Sequence, residues 1–253
     1  MKLFFNCIVH QNNEIVDDMI NNIKKFVDDP VIVFHVNTCF QDFDFERFSG
    51  LENIYINPER FSHGKYDSKM RAFTSNYNLL KSKGIEFDYQ ILFYSQMLLV
   101  RRGIERYIEQ FSSCNHPDPA PENPFTEDEL KLLTKGKSKC AAEGLVCSSD
   151  ICDKLYPLIS STSLLDKHGW CLEEWIFPSL INAFSESNGD VPMNHQRRKT
   201  HSTLEEVRGI VTGEITELEN FYTGTQSRDT IFIMFRVDYD HNNPVRKYVR
   251  ELQ

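Results

Sequence analysis

Two apolar runs open the chain, Leu3 to Val9 and Val31 to Val36, broken only by Asn6 and His35. Each gives way to polar residues, His10-Gln11-Asn12-Asn13 after the first and Asn37 after the second. Hydrophobicity this continuous predicts strands buried on both faces, as in a parallel sheet. Ile54-Tyr55-Ile56, Asp88 to Tyr94 and Thr230 to Phe235 repeat the pattern, and Met97 to Val100 is a shorter strand-like piece. Between the first two runs, Ile15, Val16, Met19, Ile20, Ile23, Phe26 and Val27 recur at helical spacing until Asp28-Asp29-Pro30 stops them. Ser68 to Lys83 reads as a second helix, with Met70, Phe73, Tyr77 and Leu80 on one side, and Ile104 to Phe111 as a short third. This β-α-β-β opening predicts an α/β fold, a central and mostly parallel sheet flanked by helices.

The second half alternates differently. Asn115 to Pro124 is strongly Pro-rich and reads as a loop over the active face. Thr126-Glu127-Asp128-Glu129 opens a helix with acidic residues in its first turn. Ser148 to Leu158 is short helix and loop, Leu164 to Phe184 a longer helical stretch, and Thr212 to Phe221 strand or irregular structure. Val245 to Arg250 forms a short basic helix after a Pro-preceded turn. At 253 residues the length allows one large domain or two small ones. The stretch after the Pro-rich segment does not look independent, so one domain over 1–253 is expected.

Open α/β sheets bind ligands beyond the C-terminal ends of their strands. That rule places His10, Asn12, His35, Asn37 and Ser95 at one crevice. A satisfied core or loop role is open to each histidine taken alone.

Charge and cysteine content narrow the setting. The balance of 28 basic and 37 acidic residues, net charge -9, argues against a general binder of nucleic acid or anionic membrane. The 7 cysteines are scattered, with no CxxC, and Cys147 and Cys152 lack a second pair at metal spacing. Free thiols in a reducing compartment are expected, with no structural zinc. Met1-Lys2-Leu3-Phe4-Phe5 is too short for a signal-peptide core, and no run approaches a membrane span. A cytoplasmic chain with no membrane span and no nucleic-acid partner follows as the expectation.

Candidate chemistry concentrates in two places. Glu173 and Glu174 lie between Trp170 and Trp175, the only tryptophans. A carboxylate packed among aromatics loses solvation and becomes able to take a proton near neutral pH. The plain alternative is an amphipathic helix with Leu172, Trp175, Ile176 and Ser179 inward and both glutamates in water. Near the C-terminus, Arg236 ends a strand while Arg246, Lys247 and Arg250 share a helix, Arg246 and Arg250 on one face. Cations near a ligand edge in an acidic protein suggest a bound anion, which arginine grips bidentately. A solvated tail helix is the alternative. Asp42-Phe43-Asp44 and Asp238-Tyr239-Asp240 have the Asp-x-Asp spacing that can hold a divalent ion, a pattern common by chance. No metal is assigned, and no Walker-type loop, GxGxxG or GxSxG is present.

The order of these segments resembles a known family. His10-Gln11-Asn12 follows the first strand and Val33-Phe34-His35-Val36-Asn37 ends the second. Pro58-Glu59-Arg60 and His63-Gly64-Lys65-Tyr66 precede a helix ending Asn78-Leu79-Leu80, and Asp88-Tyr89 opens the next strand. Glu173-Glu174-Trp175-Ile176-Phe177-Pro178-Ser179 completes the set. Together these are similar to the core-2/I-branching type of glycosyltransferase, particularly its shorter microbial members. The resemblance implies a GT-A-like, Rossmann-like domain, with a nucleotide-sugar-binding half in 1–111 and an acceptor and catalytic half in 125–253. It implies transfer of a sugar from a nucleotide-sugar to a glycan hydroxyl, with inversion and without metal. Glu174 matches the family's catalytic base and Glu173 is its neighbour. Arg236, Arg246, Lys247 and Arg250 are the positions available to hold the diphosphate. His10, Asn12, His35, Asn37, Ser95 and Gln96 would bind the donor. His63, Lys65, Tyr66, Trp170 and Trp175 would bind the acceptor. Tyr94-Ser95-Gln96-Met97 lacks the family's acidic residue, and His63 stands in place of a tryptophan. A non-catalytic nucleotide- or sugar-binding protein is therefore one alternative. Metal-dependent chemistry at Asp238 and Asp240, either glycosyl transfer or phosphate-ester cleavage, is another.

Overall fold

The run Leu3–Val9 forms β1, and every one of its residues is buried. The computed structural model of the chain describes residues 1–62, 69–115, 142–162, 173–194, 201–220 and 224–252. After β1 the chain builds α1 (Asn13–Phe26), β2 (Val31–Val36), α2 (Phe45–Phe48), β3 (Ile54–Ile56) and α3 (Met70–Ser82). Then come β4 (Tyr89–Tyr94), β5 (Leu98–Leu99), α4 (Ile104–Ile108), β6 (Ser113–Cys114), β7 (Val146–Ser148), α5 (Ser149–Ser161) and α6 (Glu173–Phe184). The remainder is β8 (Asn188–Gly189), β9 (Met193–Asn194), α7 (Leu204–Thr212), β10 (Glu217–Asn220), β11 (Gly224–Ser227), β12 (Ile233–Met234) and α8 (Pro244–Glu251).

Seven strands form the central sheet in the order β3-β2-β1-β4-β7-β6-β8. β3, β2, β1 and β4 run parallel. β7 is antiparallel to β4 and β6, and β8 is parallel to β6. Parallel neighbours need crossovers, and right-handed crossovers put α1 and α3 on opposite faces because the chain moves outward from β1 and then returns. The result is the mixed α/β architecture that the apolar runs predict. Strands come from both sides of the Pro-rich segment. The reversal of strand order falls between β1 and β4, where such sheets open a crevice beyond the strand ends.

A buried polar network ties this region together. Asn6 Nδ2 lies 3.0 Å from both Phe73 O and Gln90 Oε1 and 3.2 Å from the Tyr156 hydroxyl. Its Oδ1 accepts from Asn76 Nδ2 at 2.9 Å. Each amide sits in the core, so these bonds are required to offset desolvation. They fix α3 and α5 over β1 and β4 in one register.

Three segments differ from the sequence pattern. Of Thr230–Phe235, only Ile233–Met234 is strand, and it joins β5 and β9 in a small separate sheet. Thr212 ends a helix, and the strand begins at Glu217. The helix α7 itself follows no strong apolar run; a capping box between Thr203 and Glu206 starts it and Gly213, at φ 86°, ends it. The Thr126–Glu129 helix start, the Pro-rich loop after Asn115 and Leu164–Leu172 lie outside the described residues. Among the described residues, no helix is long and apolar enough to cross a membrane.

Candidate functional site

A cavity of about 310 Å³ opens beyond the C-terminal ends of β1, β2 and β4. β1 supplies Ile8, His10 follows directly after that strand, the segment after β2 supplies Asn37 and Cys39, and β4 with its following turn supplies Tyr94 and Gln96. Lys69, Glu143, Phe235 and Tyr239 complete the lining. His10 meets the Tyr239 ring edge-on, with centroids 5.1 Å apart. Burial, reinforced by the Lys69 ammonium, lowers the pKa of His10, so the imidazole faces the cavity neutral. Burial raises the Tyr239 phenol, partly offset by the nearby Ser95, Lys69 and Arg246.

Other residues expected at the strand ends support the wall from behind. Asn12 has φ 65° and caps α1, its side chain accepting from Glu14 N at 3.0 Å. His35 is fully buried, accepts from Phe61 N through Nε2 at 2.9 Å and stacks on the Phe61 ring. Burial and the nearby Arg60 push its pKa down to about 4. Arg60 in turn donates to the carbonyls of Val36, Asn37 and Phe40, which pins the segment carrying Asn37 and Cys39. Ser95 is buried, and its carbonyl accepts from Arg246 Nη2 at 2.8 Å. The crevice of the sequence reading is therefore lined by His10, Asn37 and Gln96, while Asn12, His35 and Ser95 are committed to capping and packing.

The C-terminal cations require a correction. Arg246 is fully buried and donates to Asp18 Oδ2, Asp238 O and Ser95 O. Arg250 donates to Asp18 Oδ1 at 2.9 Å and to His241 O at 2.9 Å. Both arginines thus neutralise a buried carboxylate on α1 instead of lining the cavity. Lys247 is exposed on the same helix. Arg236 is half-buried, has φ 57° and lies over the Phe235 ring.

The glutamate pair does not follow the solvated alternative. Glu173 is only 2% exposed, so the picture of both glutamates in water does not hold. Its Oε1 lies 3.3 Å from Lys69 Nζ, and its Oε2 has no hydrogen-bond partner among the described residues. Lys69 stands at the N-cap of α3, with its ammonium 4.9 Å from the centre of the Tyr94 ring. Burial disfavours its charge, but Glu173, Glu143 and Glu174 outweigh that and raise its pKa. Glu174 and Trp175 are half-buried in the first turn of α6, where the helix dipole favours negative charge. His63, Lys65, Tyr66 and Trp170, expected at the acceptor side, lie outside the described residues.

The Asp238 and Asp240 pair serves turns. Asp238 Oδ1 accepts from Asp240 N, Asp240 Oδ1 accepts from Asn242 N, and Asp238 Oδ2 meets His201 Nδ1 at 3.3 Å. Asp44 caps α2, and Asp42 is exposed. Among the described residues, no group of three His, Cys, Asp or Glu side chains is placed to hold a metal ion.

Lys69, Glu143, Phe235 and Tyr239 were not singled out from the sequence as lining this cavity. Asp18 did carry a signal: it falls on the apolar stripe of α1 beside Ile15, Met19 and Asn22, where a carboxylate needs a cationic partner.

Fold and cavity together define a doubly wound α/β protein with a polar, aromatic-lined cleft at its switch point. No protein-family model matches the chain, and no curated protein matches it in sequence. Among solved structures, a nucleoside-diphosphate-sugar pyrophosphorylase from Vibrio cholerae RC9 aligns over 75% of this chain and 91% of its own, at 11% identity and a TM-score of 0.45. The apo-form glycosyltransferase GlyE of Streptococcus pneumoniae TIGR4 aligns over all of this chain at 8% identity and a TM-score of 0.46. This chain spans 60% of the length of that structure.

Proposed function

We propose that this chain transfers a sugar from a nucleotide-sugar to a hydroxyl of a glycan acceptor, with the donor in the cavity between β1 and β4. The observation that carries the reading is that cavity: its position at the switch point, its aromatic and amide lining, and the buried carboxylate held beside it. A volume of about 310 Å³ is at the small end of ligand sites and suits a sugar or part of a nucleotide. Order and spacing of the sequence segments add the resemblance to branching glycosyltransferases.

An inverting transfer needs one base to take the acceptor proton and positive charge to meet the leaving diphosphate. The Glu173/Glu174 pair supplies the carboxylates. Lys69 is a cation on the cavity wall, and Arg236 lies beside the lining residue Phe235. With Arg246 and Arg250 paired to Asp18 and Lys69 paired to Glu173, the diphosphate would rest on Arg236.

A non-catalytic nucleotide-binding role is the second reading, favoured by the absence of an acidic residue after Tyr94-Ser95-Gln96. The test is a thermal-shift screen of nucleoside diphosphates and nucleotide-sugars with magnesium, with manganese and with chelator, followed by assay of nucleoside diphosphate release. Ligand binding to the folded state raises Tm by mass action. A shift that survives chelator, with diphosphate release, supports the metal-independent transferase. A shift that requires metal moves attention to Asp238 and Asp240. A shift without release supports the binding role, and no shift removes the donor site.

A further inference from the structure

The ion pair of buried Glu173 and half-buried Lys69 has a feature that packing alone does not account for. A carboxylate sealed from water needs partners for both oxygens, and leaving one unmet is costly. Glu173 Oε1 has Lys69 at 3.3 Å, while Oε2 has no partner among the described residues. A buried polar atom left in this state calls for an explanation, of which a catalytic role is one. Lys69 is itself a lining residue of the cavity, so the pair connects the orphaned oxygen to the proposed ligand space.

We propose that Glu173, not its neighbour Glu174, accepts the proton of the attacking hydroxyl, and that Lys69 is the positioning residue that holds it. The inference rests on the glycosyltransferase reading above. The ammonium, over the Tyr94 ring, anchors Oε1 and orients the carboxylate. Its raised pKa keeps it charged throughout the neutral range. Oε2 is shielded in the ligand-free protein, so the hydroxyl reaches it on a rearrangement of the cavity wall, consistent with catalytic hydrogen bonds tightening only in the complex. In the step, the proton passes from the hydroxyl to Oε2 and the hydroxyl oxygen bonds to the anomeric carbon. The bond from that carbon to the diphosphate oxygen breaks, and the diphosphate leaves with the electron pair. Water can replace the acceptor in the same step.

The experiment measures donor hydrolysis, as release of nucleoside diphosphate, in the wild type and in Glu173→Gln, Glu174→Gln, Lys69→Arg and Lys69→Met. Tm reports folding, and the ligand-induced shift reports donor binding. The expected result is a loss of kcat on the order of 100-fold or more in Glu173→Gln with the donor-induced shift retained. Glu174→Gln should stay within about tenfold of wild type, well short of a general base's contribution. Lys69→Met should fall with Glu173→Gln in kcat, and Lys69→Arg should recover most of the rate, which a role confined to folding would not produce. Loss in Glu174→Gln with Glu173→Gln unaffected overturns the assignment. So does Lys69→Met at full rate, or a wild type that binds donor without releasing diphosphate. If no nucleotide-sugar shifts the wild-type Tm, the functional reading fails as well. Should Glu173→Gln fail to fold, the double variant Lys69→Met/Glu173→Gln, which removes both charges of the pair together, takes its place under the same criteria.

Discussion

Asp18 Oδ2 lies 2.7 Å from Arg246 Nη1, and both side chains are withdrawn from solvent. The pair joins α1 to α8, elements separated by most of the chain, and Arg250 adds a second bond to the other carboxylate oxygen. Such a pair adds little net stability over apolar residues, but losing one member strands a buried charge.

Asp18→Ala should therefore lower the unfolding free energy by about 3–5 kcal/mol, since Arg246 keeps its charge without its counterion. Arg250→Ala removes a partly exposed partner and should cost no more than about 1 kcal/mol. Urea unfolding of both variants separates the cases. Equal, small losses would mean that the Asp18–Arg246 pair is solvated in solution.

The sheet was legible because its signal is strong and local. Leu3–Val9, Val31–Val36 and Tyr89–Tyr94 are apolar runs that only a strand buried on both faces explains, and a parallel order then fixes where a crevice must lie. What the sequence could not show was where individual polar side chains point. His35 and Asn37 are two residues apart, yet one is a packing acceptor for Phe61 N and the other lines the cavity. Arg246 and Arg250 have the spacing of an anion clamp, but spacing does not reveal that a carboxylate on α1 meets them first. Likewise the resemblance picks Glu174 over Glu173 by alignment alone, yet a single step of about 100° around the helix separates a buried side chain from a half-buried one.

His35 sets a pH dependence. In the folded chain it stays unprotonated down to about pH 4, because burial disfavours the charge and Nε2 is occupied by Phe61 N–H. In the unfolded chain it takes a proton near the ordinary value of 6.5. Between these values the unfolded state binds more protons, so stability falls as pH drops from about 6.5 to about 4. The loss from this residue should reach about 3 kcal/mol. Unfolding free energies of wild type and His35→Gln over this range check it, since the variant keeps an acceptor and should lose that part of the slope. Parallel slopes would assign the dependence to other groups.

Gly209 makes a close approach possible in α7. A Cβ there would run into Ile215 Cδ1 and Cγ1. Gly209→Ala should thus destabilise by about 1–3 kcal/mol despite the better helix propensity of alanine. Pairing it with Ile215→Ala, which empties the contested space, should return part of the loss. A stabilised single variant in thermal unfolding would show that α7 and the segment after it do not pack this closely.

Cysteine reactivity maps the cavity without any assumption about catalysis. Cys39 is exposed and lines it, whereas Cys7, Cys114, Cys147 and Cys152 are buried. Burial also pushes the thiols of Cys7, Cys114 and Cys152 up, which lowers the thiolate fraction that reacts. Among these five, Cys39 should be alkylated first in the native protein, with the others following only on unfolding. A ligand seated in the cavity against His10 and Tyr239 would cover Cys39. Saturating nucleotide-sugar should therefore slow its modification, read residue by residue by mass spectrometry, while leaving its rate in urea unchanged. If a nucleotide-sugar raises Tm yet Cys39 reacts at the same rate, the ligand binds elsewhere. The cavity between β1 and β4 would then not be the donor site, whatever chemistry the chain performs.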